Sequence, residues 1–190
     1  MRAVHPIEAR SYEILRARVD TSGLPPLTRA VTERVIHASA DVGYLGDLVM
    51  SAEEHLRAAA AALRGGAPVV TDVEMVAAGV TAVAPVCRVR EAAAGGGLTR
   101  SAAGIRLAYA EVGPGAVWAV GNAPTALEEI LRLDVRPVLV VGLPVGFVGA
   151  AESKQALRES GLPAVSNRSE KGGSAVAAAA VNALLYWEGS

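Results

Sequence analysis

No uninterrupted apolar stretch in this chain approaches the roughly 18 residues that a membrane-spanning helix requires. The best candidate, residues 175–185, is too short and is interrupted by Asn182, which excludes membrane insertion. The positive mean hydropathy of +0.34 comes instead from short runs of Ala and Val. Charge of one sign is lacking as well, with 18 Lys and Arg against 19 Asp and Glu. Nucleic-acid binding usually leaves a basic excess or stripe, so the balance argues against such a partner. It leaves room for a local arginine cluster around a small anion. A single cysteine, Cys87, rules out an intramolecular disulfide and a cysteine-rich metal site. The opening residues 1–10 hold no apolar segment of the signal-peptide kind, and a cytoplasmic location is the expectation.

What the chain does have is 190 residues, 52% of them hydrophobic. That is enough for one domain over residues 1–190 with a sizeable core. Residues 6–19 suit a helix, with Pro6 in its first turn and Ile7, Ile14, Leu15 and Val19 at helical spacing. A second helix is predicted from near Thr28, carrying Val31, Val35 and Ile36 on one face and His37 near its end. Gly43 and Gly46 make the next stretch loop-like. Ser51 with Glu54 three residues on matches a capping box, opening a helix that runs to Leu63 and stops at Gly65-Gly66.

Beyond Gly66 the pattern changes to short apolar runs at 68–72, 116–122, 137–142 and, more weakly, 163–166. Helical patterns follow them at 73–78, 124–133, 150–160 and 174–185. Near-continuous apolar strands alternating with helices indicate a mostly parallel sheet covered on both faces. The expected fold is a three-layer α/β/α sandwich, Rossmann-like but without a dinucleotide motif. Ligands of such sheets sit beyond the carboxyl ends of the strands. That selects the turns at 71–75, 121–125, 142–147 and 167–174. The stretch 92–97 reads as a loop leading to Thr99-Arg100-Ser101 at a helix start.

Several chemistries fail on motif. No G-x-G-x-x-G opens a helix after a strand, and no G-x-x-x-x-G-K-[ST] occurs. In Lys171-Gly172-Gly173-Ser174 the lysine precedes the glycines. His5, His37 and His55 lack metal-ligand spacing, and Asp72 and Glu74 are better suited to orienting backbone or substrate groups than to Mg²⁺. Gly142-Leu143-Pro144-Val145-Gly146 puts proline where an elbow serine would stand. His37 keeps two readings, a hydrogen-bonded structural histidine or a proton donor near neutral pH, with Asp41 one turn on to tune it. His55 reads as solvated. Arg100 at a helix N-terminus suits an anionic ligand, as do Arg10, Arg16 and Arg168. Phe147, the only phenylalanine, is either a platform for a flat ligand or a plug over the core.

Taken together in order, several segments resemble the precorrin-8X methylmutase family, including its cobalt-precorrin-8 branch. They are His-Pro-Ile-Glu-Ala-Arg-Ser-Tyr at 5–12, Val-Ile-His-Ala at 35–38 and Gly-Ala-Pro-Val-Val-Thr-Asp-Val-Glu-Met-Val at 66–76. Thr-Arg-Ser-Ala-Ala at 99–103, Gly-Asn-Ala-Pro-Thr-Ala-Leu at 121–127 and Gly-Leu-Pro-Val-Gly-Phe-Val-Gly-Ala-Ala-Glu-Ser-Lys at 142–154 follow. Gly-Gly-Ser-Ala at 172–175 and Val-Asn-Ala-Leu at 181–184 complete the set.

The resemblance implies an isomerase of cobalamin biosynthesis that moves a methyl group from C-11 to C-12 of precorrin-8X, giving hydrogenobyrinic acid. It implies His37 and Arg100 as catalytic residues. It places Arg10, Ser11, Thr71, Asp72, Thr99, Ser101, Asn122, Thr125, Gly146, Phe147, Gly173 and Ser174 along the pocket for a tetrapyrrole polycarboxylate. No cofactor and no protein-bound metal are implied. A homodimer with residues of both subunits near the site is, together with hand-over to neighbouring enzymes of the corrin pathway. Carriage of a corrinoid without catalysis is the competing reading. Family members commonly have Thr-Gly or Cys-Gly where this chain has Ser39-Ala40, so backbone freedom beside His37 is reduced. They also have a longer connection than the one between Met75 and Thr99.

Overall fold

A computed structural model describes residues 5–189. The strands are β1 (Leu48–Met50), β2 (Val69–Thr71), β3 (Val86–Cys87), β4 (Val117–Val120), β5 (Leu139–Gly142) and β6 (Ala164–Asn167). They form one sheet in the order β1-β6-β5-β4-β2-β3. All pairings are parallel except β1 on β6, which is antiparallel in the register Leu48 opposite Asn167. The helices are α1 (Pro6–Arg18), α2 (Pro26–Ser39), α3 (Tyr44–Asp47), α4 (Glu53–Arg64), α5 (Glu74–Gly79), α6 (Arg100–Val112), α7 (Pro124–Leu133), α8 (Ala150–Glu159) and α9 (Ser174–Leu185).

The central strands are buried on both faces, so their side chains alternate between two apolar layers rather than between core and water. Val117 and Ala119 of β4 and Leu139 and Val141 of β5 face a layer built by α1, α2, α4, α5 and α9. Trp118, Val120 and Val140 face a second layer with Ile105 of α6, Leu127 and Ile130 of α7 and Leu157 of α8. The expected three-layer α/β/α fold with a mostly parallel sheet is the observed one. Helix α9 is buried along almost its whole length, and its small side chains let it approach the sheet closely. A Cβ on Gly121 would lie 2.8 Å from the α-carbon of Ser174, so glycine is required where β4 ends.

Some local expectations fail for identifiable reasons. Helix α4 starts from Ala52 without a side-chain cap. Ser51 spends its hydroxyl on residue 164 instead, accepting from its amide at 3.0 Å and donating to its carbonyl at 3.3 Å. Tying down the sheet edge outcompetes the capping box. Glu53, not Glu54, performs a capping role, and it does so for another helix. Its carboxylate takes the amides of Leu27 and Thr28 and the hydroxyl of Thr28 at 2.7–3.0 Å, which moves the start of α2 to Pro26. The loop-like stretch around Gly43 and Gly46 contains the single turn α3 and leads into β1. Neither β1 nor β3 was expected. His55 is half-buried rather than solvated, with Nδ1 enclosed.

Candidate active site

Helix α1 begins with His5, whose Nδ1 accepts from the amide of Ile7 at 3.2 Å. Six residues later Ser11 faces α2, and its hydroxyl lies 2.8 Å from Nδ1 of His37. Tyr12 stacks flat on the same imidazole, with ring centroids 5.0 Å apart and planes 7° from parallel. Arg16, one turn further along α1, sits 5.5 Å from the Tyr12 ring centre. Two contacts of α1 with α2 therefore fix the ring plane of His37 and occupy its Nδ1. Nε2 is the nitrogen left for an incoming group. Ser11, Ile14, Leu15, Arg18, Ile36, His37, Ala40 and Val42 line a small cavity of about 90 Å³ there.

Arg16 is in turn held by Glu33, which accepts from it at 2.7 Å, from Arg29 at 2.8 Å and from the Thr21 hydroxyl at 2.6 Å. Burial alone would raise the Glu33 carboxyl, but the donors from Arg16, Thr21 and Arg29 outweigh it and hold the group down to about 2. Asp41 does not turn to His37. Its carboxylate takes the Lys171 ammonium at 2.7 Å and the Gly43 amide at 2.8 Å. Helix α2 is closed by Ala40, the residue after its last turn, in the left-handed region with φ 54° and ψ 22°.

Arg100 opens α6 on the other face of the sheet. Thr99 caps this helix, accepting from the Ala102 amide at 3.2 Å, and its hydroxyl meets that of Thr125 at the start of α7 at 2.8 Å. Arg100 is exposed and makes no ion pair among the described residues. Ser101 is half-buried beside it. A groove of about 170 Å³ runs past Gly97, Thr99, Thr125 and Arg132. His37 thus lines a cavity on one helical layer, and Arg100 opens a helix on the other, next to Thr99 of the groove there.

The remaining sequence-selected residues divide by burial. Asn122, Thr125, Gly146, Gly173 and Ser174 are exposed or half-buried at the carboxyl edge of the sheet. Phe147 is 97% exposed and Val148 is 88% exposed, so Phe147 is not a plug over the core. Thr71 and Asp72 are enclosed. Asp72 accepts the amides of Gly121, Asn122 and Ala123 at 2.8–3.1 Å. Burial raises its carboxyl, and the three amide donors oppose that rise. It shapes the turn that presents Asn122 and is not itself open to a ligand. Arg10 is paired with Glu13 on the surface of α1. Arg168 is exposed and donates to the Gly46 carbonyl at 3.3 Å.

Sequence reasoning missed Tyr12, Glu33 and Lys154. Buried positions of α8 are Ala150, Ser153, Lys154 and Leu157, a helical stripe into which a lysine falls. A charge on an apolar stripe was the available signal for Lys154, and nothing comparable marks Tyr12.

An α/β fold with a fixed histidine on one helical layer and an exposed arginine at a helix start on the other matches a known enzyme family throughout its length. The precorrin-8X methylmutase family model matches residues 6–187, and the chain belongs to that family. It is 43% identical to the cobalt-precorrin-8 methylmutase of Salmonella typhimurium, over 95% of this chain and 93% of that protein. Identity to the precorrin-8X methylmutase of Sinorhizobium sp is 42%, over 94% and 92% of the two chains. The solved precorrin-8X methylmutase of Thermus thermophilus superposes with a TM-score of 0.82 at 32% identity, covering 95% of this chain and 96% of that one.

Proposed function

We propose that this protein is a methylmutase that moves a methyl group from C-11 to C-12 of precorrin-8X, or of its cobalt-containing counterpart. The observation that carries the reading is the Ser11–His37 hydrogen bond at 2.8 Å, reinforced by the Tyr12 stack. Together they turn a histidine into an oriented acid with one nitrogen free. Protonation of the conjugated macrocycle by Nε2 favours electron movement as the C-11–methyl bond breaks and the C-12–methyl bond forms. The same nitrogen recovers the proton as the product tautomer settles. The reaction is an isomerisation, so atoms and electrons balance without an added reactant. Arg100 and the polar groups at the helix starts of α6, α7 and α9 pair with substrate carboxylates and fix its orientation.

The cavity at His37 is well below the roughly 300–1,000 Å³ of ordinary small-molecule sites. We therefore also propose that the working unit is a homodimer, in which the His37 depression of one copy faces the Arg100 layer of the other. Identities of 43% and 42% to relatives named for the cobalt-containing and metal-free substrates favour neither, so the assay uses both. Purified protein incubated with each substrate should convert at least one of them, followed by its ultraviolet-visible spectrum. His37→Ala should lose about 10²–10⁴ in rate while still binding. Ser11→Ala should lose about tenfold, the worth of one orienting hydrogen bond. Binding of both corrinoids without conversion by the wild-type protein would overturn the enzyme reading in favour of a carrier.

A further inference from the structure

Lys154 is a buried cation that the reaction above does not use. It lies on the inner stripe of α8 and is fully enclosed. Its ammonium donates to the carbonyls of Pro144 at 3.2 Å, Ser169 at 2.5 Å and Lys171 at 2.7 Å, and to Oδ1 of Asn167 at 2.9 Å. An ammonium has three protons, so these four oxygens share them. Pro144 belongs to the turn after β5, and the other three belong to the end of β6 and the connection to α9.

Those two segments run backbone against backbone. The amide of Gly146 donates to the Glu170 carbonyl at 3.2 Å, and the amide of Gly173 donates to the Leu143 carbonyl at 2.9 Å. A Cβ on Gly172 would lie 2.3 Å from the Leu143 oxygen and 2.4 Å from that of Pro144. Only glycine allows this approach. From Asn167 the network continues through Nδ2 to Asp47 at 2.8 Å. Asp47 also takes the amides of Arg168 and Ser169 and the Ser169 hydroxyl at 2.6–3.0 Å. Asp47 closes α3, the turn that follows the His37 segment. Lys171 reaches Asp41 at 2.7 Å, four residues beyond His37.

One buried charge thus sits where three segments meet: the turn with Gly146 and Phe147, the loop with Gly173 and Ser174, and the connection after His37. We propose that Lys154 is a positioning residue that locks these three parts of the substrate pocket into one rigid edge. Its consequence for catalysis rests on the methylmutase reading; its consequence for the loops does not. A neutral side chain of the same length fills the space but takes the ammonium from four oxygens. The Pro144 carbonyl and Asn167 Oδ1 lose the donor named above, and the Ser169 and Lys171 carbonyls keep only Asn167 Nδ2, at 3.3 and 3.0 Å. The segments then satisfy those oxygens with water by parting, and the pocket loses its shape while His37 keeps its own partners on α1.

The test compares Lys154→Met with Leu157→Ala, well below the unfolding temperature of either variant. Leu157 is equally buried one turn on, and its truncation weakens packing without touching an oxygen. In Lys154→Met, amide hydrogen exchange at Gly146 and Gly173 should quicken about tenfold or more, while Leu157→Ala leaves those two amides protected. With substrate, Lys154→Met should raise KM about tenfold, with kcat and its pH profile little changed. The proposal is overturned if the two variants show the same exchange pattern, or if Lys154→Met lowers kcat with KM unchanged. A wild-type protein that turns over neither corrinoid sinks the methylmutase reading alone, and the exchange comparison still decides the role of Lys154. If Lys154→Met does not fold, Lys154→Gln replaces it and is held to the same outcomes.

Discussion

Ala40 occupies a conformation that L side chains adopt at a cost. Its φ of 54° brings Cβ toward the following carbonyl, a penalty of about 1–2 kcal/mol that glycine does not carry. The glycine expected at this position from the family resemblance would meet the same backbone without strain. Ala40→Gly gives back part of the gain as chain entropy, leaving a net stabilisation of about 0.5–1 kcal/mol and a rise in Tm of about 2 °C. A thermal melt of the two proteins checks this, and an unchanged or lower Tm refutes the strain argument. The case also marks what a sequence discloses at this scale. The missing glycine was visible in the residues 39 and 40, whereas the lysine on the inner stripe of α8 carried a signal that went unread. The pairing of Ser11 with His37, 26 positions apart, was not, because no periodicity links side chains on separate helices. Asp41 misled for the same reason. Its spacing from His37 on a helix is favourable, but the helix ends at Ser39 and the turn directs the carboxylate to Lys171.

Among the elements, α1 is held to α2 more by polar and aromatic contacts than by apolar burial. Leu15 is its only buried residue, so apolar packing against α2 is thin, and Glu33 clasps it through Arg16. The sign of the pH dependence follows from the carboxyl's depression from 4.5 to about 2. Between those values the unfolded chain binds a proton that the folded chain refuses, so stability is complete above about pH 5 and declines as pH falls toward 2. Solvent around the half-exposed arginines screens the pair, and the contribution is on the order of 2 kcal/mol. Glu33→Gln should lower Tm at pH 7 and flatten its decline between pH 5 and pH 2.5. An identical acid limb in both proteins would remove the clasp from the account. Strand detection also has a physical limit. Runs β2, β4, β5 and β6 stood out because both of their faces are buried. Strands β1 and β3 hold three half-buried residues and two residues at the sheet edges, too short for any period to register.

At the scale of the whole molecule, the surface of α1 is more apolar than an isolated chain requires. Ile7 is 74% exposed and Ile14 is 40% exposed, with Val42 at 41% beside the His37 cavity. Pro6, Ile7, Ser11 and Ile14 share one shallow depression. Contiguous exposed apolar side chains at the rim of a polar site mark a surface meant to be covered, and a second copy would both cover it and enlarge the His37 cavity. Sedimentation should give a dimer for the wild-type protein and a monomer for Ile7→Glu/Ile14→Glu, with turnover lost alongside assembly. Because both side chains face water in the single chain, the variant should stay folded. Mixing supplies the stricter test. His37→Ala and Arg100→Ala are each expected to be inactive alone. If the two residues meet across the interface, a mixed dimer carries both defects in one site and neither in the other. Equal amounts, exchanged freely, then recover about a quarter of wild-type activity, since half the dimers are mixed and half of their sites are intact. If both residues of a site come from one chain, every site keeps a defect and the mixture stays inactive, which would refute the shared site even for a dimeric protein.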